Sequence, residues 1–246
     1  MQRKLLGTKI FSKLDQKNFL RVSKDLNPAH TLKNNINQFK TRKPVVHGIN
    51  LLICTLELFL QISKIKPKNV RCFFYKPIFL NEKIKFYSFQ EGDKQTSVEL
   101  QNENQSVFSK IIFYNYSLKE GKKKKDSKLP EILKLTSKLS KKNPIDFFKR
   151  KFKNLLKERK NILNFPFVQK MYGKVFINAL LATSYFIGMR CPGKNALFSG
   201  IDLNFNSIYN KKKYLIFDVA NYEERIKMFT INVSGFMYLR IKSFCK

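Results

Sequence analysis

Two long apolar runs divide the chain, and each is followed by a series of short runs that alternate like β-strands. The first run, residues 49–62, places hydrophobic side chains on almost every face of a helix, which is typical of a helix buried on most sides. The second run, residues 172–190, has the same character and is followed by a proline-containing turn. This repeat predicts two copies of one unit, packed as a pseudo-dimer within a single chain.

The runs after each helix are rich in β-branched and aromatic residues and are separated by polar turns, which favours antiparallel strands. We therefore predict an α+β fold in which a curled antiparallel sheet wraps around each long buried helix. Before the first helix, residues 8–12 favour a short strand and residues 15–24 a short amphipathic helix or turn. The predicted strands are residues 70–79, 83–89, 97–101 and 107–117 in the first half, and 196–205, 213–222, 225–235 and 236–244 in the second.

A basic segment separates the two copies. Residues 119–160 carry 17 Lys or Arg against 5 Asp or Glu, and the pattern over 129–157 is helical but solvated. We predict a first unit at residues 1–118, a basic linker at 119–163 and a second, degenerate unit at 164–246.

The net charge of +32 has two interpretations. It favours an anionic partner such as nucleic acid, a coenzyme A phosphate or an acidic carrier protein. Alternatively, it reflects a general enrichment in Lys, because the lysines are spread along the chain. The four cysteines show no metal-binding spacing, which suits a reducing cytoplasm. No apolar run is long enough to predict a membrane span.

Candidate chemistry is concentrated in residues 19–60, which contain both histidines of the chain, His30 and His47. Asp25 lies five residues before His30, and Gly48 opens the first apolar helix. Each residue also has a structural interpretation. The Asp25–Pro28 stretch suits an Asx-type turn or a helix cap, and His30 alone suits a satisfied histidine. His47, directly before the helix, is expected mainly to cap it.

The segments SKDLNPAH at 23–30 and KPVVHGIN at 43–50 resemble the MaoC-like dehydratase family of R-specific enoyl-thioester hydratases. Residues 73–86 and 191–205 also look like the strand and loop segments of that family. The resemblance implies two tandem hotdog folds. It implies a hydro-lyase that hydrates trans-2-enoyl thioesters, or dehydrates (3R)-hydroxyacyl thioesters, carried on coenzyme A or an acyl carrier protein.

In such a site, Asp25 and His30 would be the catalytic pair, holding one water between them and exchanging its protons. The Gly48 N–H, at the start of a buried helix, is expected to donate to the thioester oxygen. Asn27 and His47 are expected to contribute to substrate binding. The reaction needs no metal and no cofactor beyond the thioester carrier, and the protein is expected as an intramolecular pseudo-dimer or a homodimer.

Two departures from the family pattern leave alternatives open. Lys24 stands where the family usually has glycine, and Asn81-Glu82 replaces a Gly-Asp turn. The second half has no histidine and is expected to be a structural partner only. The alternatives are an inactive hotdog protein that binds acyl groups or a partner, a thioesterase of the same fold, and, least favoured, a basic RNA-associated protein.

Overall fold

The computed structural model describes residues 3–31, 43–63, 66–116, 133–134, 151–156, 163–193, 195–205, 208 and 212–245. Within these residues, eleven strands form one continuous sheet, which four α-helices accompany. In chain order the elements are β1 (Arg3–Ile10), α1 (Lys13–Ser23), α2 (Gly48–Ile62), β2 (Asn69–Phe74), β3 (Lys83–Gln90), β4 (Gln95–Gln101), β5 (Val107–Tyr114), β6 (Leu133–Lys134), β7 (Lys151–Leu155), α3 (Pro166–Tyr172), α4 (Lys174–Met189), β8 (Ala196–Asn204), β9 (Tyr214–Glu223), β10 (Met228–Gly235) and β11 (Tyr238–Cys245).

The sheet is built from two matching halves. Its strand order is β1-β3-β4-β5-β2-β8-β11-β10-β9-β7-β6, so five strands lie on the β2 side and six on the β8 side of a central β2–β8 pair. Every pairing is antiparallel except that of β6 with β7. The predicted α+β fold, with one long helix and one antiparallel sheet in each half, is confirmed.

Each long helix is buried against its own part of the sheet. Phe59 of α2 stacks on Phe113 of β5 with ring centroids 4.1 Å apart, and Phe186 of α4 stacks in the same way on Phe217 of β9 at 4.1 Å. The two helices and both parts of the sheet belong to one hydrophobic core. Because both helices are apolar on nearly all faces, they require cover from the other half as well as from the sheet.

The structure differs from the predicted elements at three places. The first strand begins at Arg3 rather than residue 8. The second long helix, α4, begins at Lys174 rather than residue 172, because Gly173, with φ of 81°, separates it from the short preceding helix α3. Residues 133–134 and 151–155, predicted as helix, form β6 and β7, which pair with each other, and β7 also pairs with β9. That helical prediction is wrong there because pairing with an existing sheet edge outweighs local propensity.

The remaining part of the basic segment, residues 119–132, 135–150 and 157–162, lies outside the described residues. The division of the chain at residues 118 and 163 therefore stays a prediction. Of the helices that are described, none combines the length and the apolar character needed to cross a membrane.

Candidate active site

The Asp25–His30 segment is a compact turn that follows α1. Lys24 ends α1 in the left-handed conformation, with φ of 60°. The carboxylate of Asp25 then accepts a hydrogen bond from the Asn27 N–H at 3.3 Å, and the Asn27 side-chain oxygen accepts one from the Ala29 N–H at 3.2 Å. The Asx turn expected from the sequence is thus present, and it leads into a single 3-10 turn that ends at His30.

Asp25 is almost fully buried, at 1% exposure, and its main partner comes from the other half of the chain. The hydroxyl of Ser184 on α4 donates to Asp25 Oδ2 at 2.7 Å. Gly188, one turn later on α4, lies so close that a Cβ there would overlap the Asp25 carboxylate. Burial raises the pKa of Asp25 to about 7, against the opposing effect of the Ser184 hydrogen bond.

His30 is also buried, and one of its ring nitrogens is occupied by the backbone. Nδ1 lies 2.7 Å from the carbonyl oxygen of Val45. Burial lowers the pKa of His30 to about 4, so the ring is neutral near pH 7. Since a carbonyl only accepts, the Nδ1 position carries the proton, and Nε2 keeps a free lone pair that can act as a base.

His47 occupies the position before α2, but its side chain makes no capping hydrogen bond. Instead, its ring stacks on that of His30 with centroids 3.7 Å apart. Its Nε2 lies 3.7 Å from Asp25 Oδ2. The expectation that His47 mainly caps the helix is therefore wrong: the ring points into the cluster formed with Asp25 and His30. Burial and the neighbouring His30 lower the pKa of His47 well below its usual value.

Gln16 of α1 ties the two histidine-bearing segments together. Its side-chain nitrogen donates to the carbonyl oxygens of His30 and Val45, both at 3.0 Å. Its side-chain oxygen lies 3.3 Å from His47 Nδ1. One buried amide thus fixes the position of the backbone beside each histidine.

Asn27 joins the site segment to the second half. Its side-chain oxygen accepts from the Asn195 N–H at 2.9 Å, and its nitrogen donates to the Ala196 carbonyl at 2.9 Å. The side chain is fully buried and does not line the pocket described next. These contacts give Asn27 a tethering position, while its predicted role in substrate binding stays a prediction.

A pocket that opens to solvent lies beside the cluster, with about 490 Å³ of empty space when its open mouth is included. His30 and Gly48 both line it, and so do apolar side chains of both halves. Phe198 of β8 packs against Gly48 so closely that a Cβ at this position would lie 3.2 Å from its ring. The apolar and charged members of the wall, apart from His30 and Gly48, are Val45, Val46, Leu51, Phe74, Tyr75, Lys76, Pro77, Ile78, Leu197, Phe198 and Phe244.

The start of α2 offers backbone donors to this pocket. No side chain caps the helix, so the N–H groups of its first turn have the positive polarity of a helix N-terminus. Gly48 is the first residue of that turn and lines the pocket. The arrangement suits the polarisation of a carbonyl oxygen.

Asp25, His30 and His47 each present a potential metal-ligating atom, and these atoms lie within 4.8 Å of one another. The two rings, however, are stacked with an interplanar angle of 29°. Imidazole binds metals through lone pairs in the ring plane, and stacked rings do not direct these lone pairs at one point. The arrangement therefore suits proton exchange better than metal binding.

The structure brings four of the five predicted residues, Asp25, His30, His47 and Gly48, to one place, with Asn27 directly beside them. Sequence reasoning missed Ser184, Gly188 and Gln16. The second half, expected to be a structural partner only, contributes Ser184, whose hydroxyl binds Asp25 directly; that it carries no catalytic residue stays a prediction. For Ser184, the available signal was a polar residue on a mostly apolar helix.

The two departures from the family pattern are accommodated. Lys24 and Asn81 both adopt positive φ, at 60° and 66°, and Asn is among the residues that tolerate this conformation. The Glu82 carboxylate accepts a hydrogen bond from the Phe79 N–H at 3.0 Å. Asn81 and Glu82 thus form a hydrogen-bonded turn before β3.

Comparison with solved structures identifies the architecture. A MaoC-like dehydratase superposes with a TM-score of 0.54 at 6% identity, covering 99% of this chain and 98% of its own. The chain has the double hotdog fold.

Proteins to which a different reaction is assigned share the double hotdog fold. A protein from Lactobacillus plantarum provisionally assigned as an oleoyl thioesterase matches at a TM-score of 0.52 and 6% identity, over 99% of this chain and 95% of its own. One from Thermobifida fusca YX, provisionally assigned as a thioesterase II, matches at 0.52 and 10% identity, over 98% and 100%. No protein-family model and no curated protein matches the sequence. At these identities the likeness concerns the fold alone.

Proposed function

We propose that the protein is a hydro-lyase that adds water to trans-2-enoyl thioesters and, in reverse, dehydrates (3R)-hydroxyacyl thioesters. The single observation that carries the proposal is the meeting of Asp25, His30 and the uncapped start of α2 beside one apolar pocket. A thioester carbonyl beside the Gly48 N–H would place its β-carbon toward the His30 ring. A fold alone does not determine a reaction, so the proposal rests on this geometry.

His30 and Asp25 would divide the proton transfers of this reaction. Nε2 of the neutral His30 ring can accept or return a proton at the pocket wall. Asp25, with a pKa near 7, can act as an acid or a base at neutral pH, which is the condition for efficient general catalysis. Ser184 orients the Asp25 carboxyl group from the opposite side.

The carrier of the acyl group is proposed to be coenzyme A or an acyl carrier protein. Lys76 lies on the pocket wall, where its amino group donates to Ser106 Oγ at 2.9 Å. Its positive charge favours a phosphate-bearing carrier at this end of the pocket. We also propose the cytoplasm as the site of action.

The test is the loss of enoyl-thioester absorbance when the purified protein is mixed with trans-2-enoyl-CoA or enoyl carrier-protein substrates of several chain lengths. Asp25→Asn and His30→Gln are each expected to lower kcat/KM by roughly 10²- to 10⁴-fold. Asp93→Asn, in the exposed turn between β3 and β4, is the matched control and should leave the rate unchanged. A wild type that is inactive on every such thioester would contradict the proposal.

A second candidate function is acyl binding without catalysis. The observation that favours it is the burial of Asp25, which is 1% exposed and is not part of the pocket wall. Calorimetry with a saturated acyl-CoA separates the two functions. Binding by a wild type that shows no turnover, retained in Asp25→Asn, would support the binding role.

A further inference from the structure

His47 is a buried titratable residue that the proposed chemistry leaves without a role. It is fully buried. One face of its ring stacks on His30, and the ring also contacts Phe19, with centroids 4.5 Å apart. The ring faces are thus covered by aromatic neighbours, and the two nitrogens make its polar contacts.

Both ring nitrogens of His47 face oxygen atoms. Nδ1 lies 3.3 Å from Gln16 Oε1. Nε2 lies 3.3 Å from the Asp25 carbonyl oxygen and 3.7 Å from Asp25 Oδ2. Gln16 presents its oxygen to His47 because two carbonyl groups hold its nitrogen on the other side.

A neutral imidazole can donate to only one of these two oxygens. A neutral ring has one N–H, so it can donate to the oxygen on one side while its lone pair meets an oxygen on the other. An imidazolium donates on both sides. The oxygens of Gln16 and Asp25 are therefore arranged for a second proton on His47.

We propose that His47 and Asp25 share one buried proton, and that His47 is the positioning residue that holds this proton when Asp25 is a carboxylate. The transfer breaks the O–H bond at Asp25 Oδ2 and forms an N–H bond at His47 Nε2, and it requires these two atoms to move from 3.7 Å to hydrogen-bond distance. The pair changes from two neutral groups to a carboxylate and an imidazolium. Its total charge and its proton count stay the same, and no exchange with solvent is needed.

The surroundings determine where the proton rests. Asp25 faces the Ser184 hydroxyl, Gly188 and the Asn27 N–H, and His47 faces Gln16, Phe19 and His30. Burial raises the pKa of Asp25 and lowers that of His47, so the resting proton is on Asp25. The alternative form costs less than an isolated buried charge, because the two charges arise as a pair.

This inference rests on the proposed function only in the catalytic role given to the Asp25 carboxylate. The protonation of His47 and Asp25 is measured without substrate. The chain has two histidines, so ¹⁵N-histidine labelling of the full-length protein gives two imidazoles, and His30→Gln assigns them. In wild type, between about pH 5 and pH 8, we expect partial second protonation of His47. The signal should vanish in Asp25→Asn and weaken in Gln16→Leu.

Infrared spectroscopy provides a second measurement that needs no folded Asp25 variant. His47→Phe gives the shared proton no other site, so the band of the protonated Asp25 carboxyl group should grow relative to wild type. His47 spectra that are identical in wild type and Asp25→Asn, or a carboxyl band unchanged by His47→Phe, would overturn the inference. If the wild type is an active hydratase, either of these results overturns only the shared proton. If the proton is shared but the wild type is inactive, only the hydratase proposal is refuted.

Discussion

At the residue scale, Lys24 shows how the site segment is held in place at a local cost. It ends α1 with φ of 60° and ψ of 17°, a conformation that costs a non-glycine residue roughly 1–2 kcal/mol. The strain lies one residue before Asp25, so the turn that directs this carboxylate inward depends on it.

Lys24→Gly is expected to stabilise the protein by about 1 kcal/mol, since glycine adopts positive φ without steric cost. Urea unfolding measures the change. Lys17→Gly, an exposed position inside α1, is the matched control and should destabilise by about 1 kcal/mol because glycine is a poor helix former. Equal effects at both positions would contradict the assignment of strain to Lys24.

Asp25 gives a pH prediction of defined sign. Its pKa is about 7 in the folded protein and 3.8 without burial, so between these values the native state holds a proton that the unfolded chain has lost. Its contribution to stability is therefore complete below about pH 4 and is lost as pH rises to about 7. His30 and His47, whose pKa values are lowered, act in the opposite direction.

The difference in unfolding free energy between wild type and Asp25→Asn isolates the Asp25 contribution, because Asn keeps the shape and does not titrate. This difference should fall from about pH 4 to about pH 7 and stay level above that range. Added salt should leave the fall in place, since buried groups are screened weakly. A difference that is flat or rises with pH would show that Asp25 is not protonated in the native state.

At the element scale, α2 organises more than its own half. Glu57 on α2 accepts hydrogen bonds from the N–H groups of Phe167 and Val168, at 3.0 and 2.9 Å. These residues open α3, whose own preceding residue provides no side-chain cap. One carboxylate thus caps the first helix of the second half from the central helix of the first.

Glu57→Ala should destabilise the protein by about 1.5–3 kcal/mol, the range for hydrogen bonds to a charged group. Glu57→Gln keeps one acceptor oxygen and should lose about half as much. Chemical unfolding measures both, and Glu103→Ala, at an exposed ion pair with Lys83, should leave the unfolding midpoint in place. Loss of the same size in the Gln and Ala variants would mean that packing, rather than capping, is the contribution of Glu57.

Elements and contacts that depend on local sequence were predictable, and those that depend on distant partners were not. The α2 helix was predictable at residues 49–62 because its apolar character is local, and Asp25, His30 and Gly48 followed from short-range spacing. The contact of Ser184 with Asp25 was not predictable, because the two residues lie 159 positions apart. The pattern of apolar residues does not indicate which turn of a helix faces which loop. The β7 strand was missed for a similar reason: its partner β9 lies some sixty residues further along.

At the scale of the whole molecule, the candidate site is a product of both halves. The central β2–β8 pair joins the two halves of the sheet, and the Arg71–Asp202 ion pair at 2.8 Å lies across it. Asn27 binds the second half through two hydrogen bonds, and Ser184 binds Asp25. Separation of the halves would expose the edge of β2 and leave Asp25 and Asn27 without their partners, at a cost of several kcal/mol.

The protein should therefore unfold as one cooperative unit. Native-state hydrogen exchange is expected to give the same opening free energy for the core amides of α2 and α4, near that of global unfolding. Asn27→Ala should lower both values together by roughly 1–3 kcal/mol, the cost of unsatisfied buried polar groups. If the second half instead exchanged at its own lower free energy while α2 stayed protected, the first half would be an independent domain. Asp25 would then have to keep its environment without Ser184, against the geometry of the site.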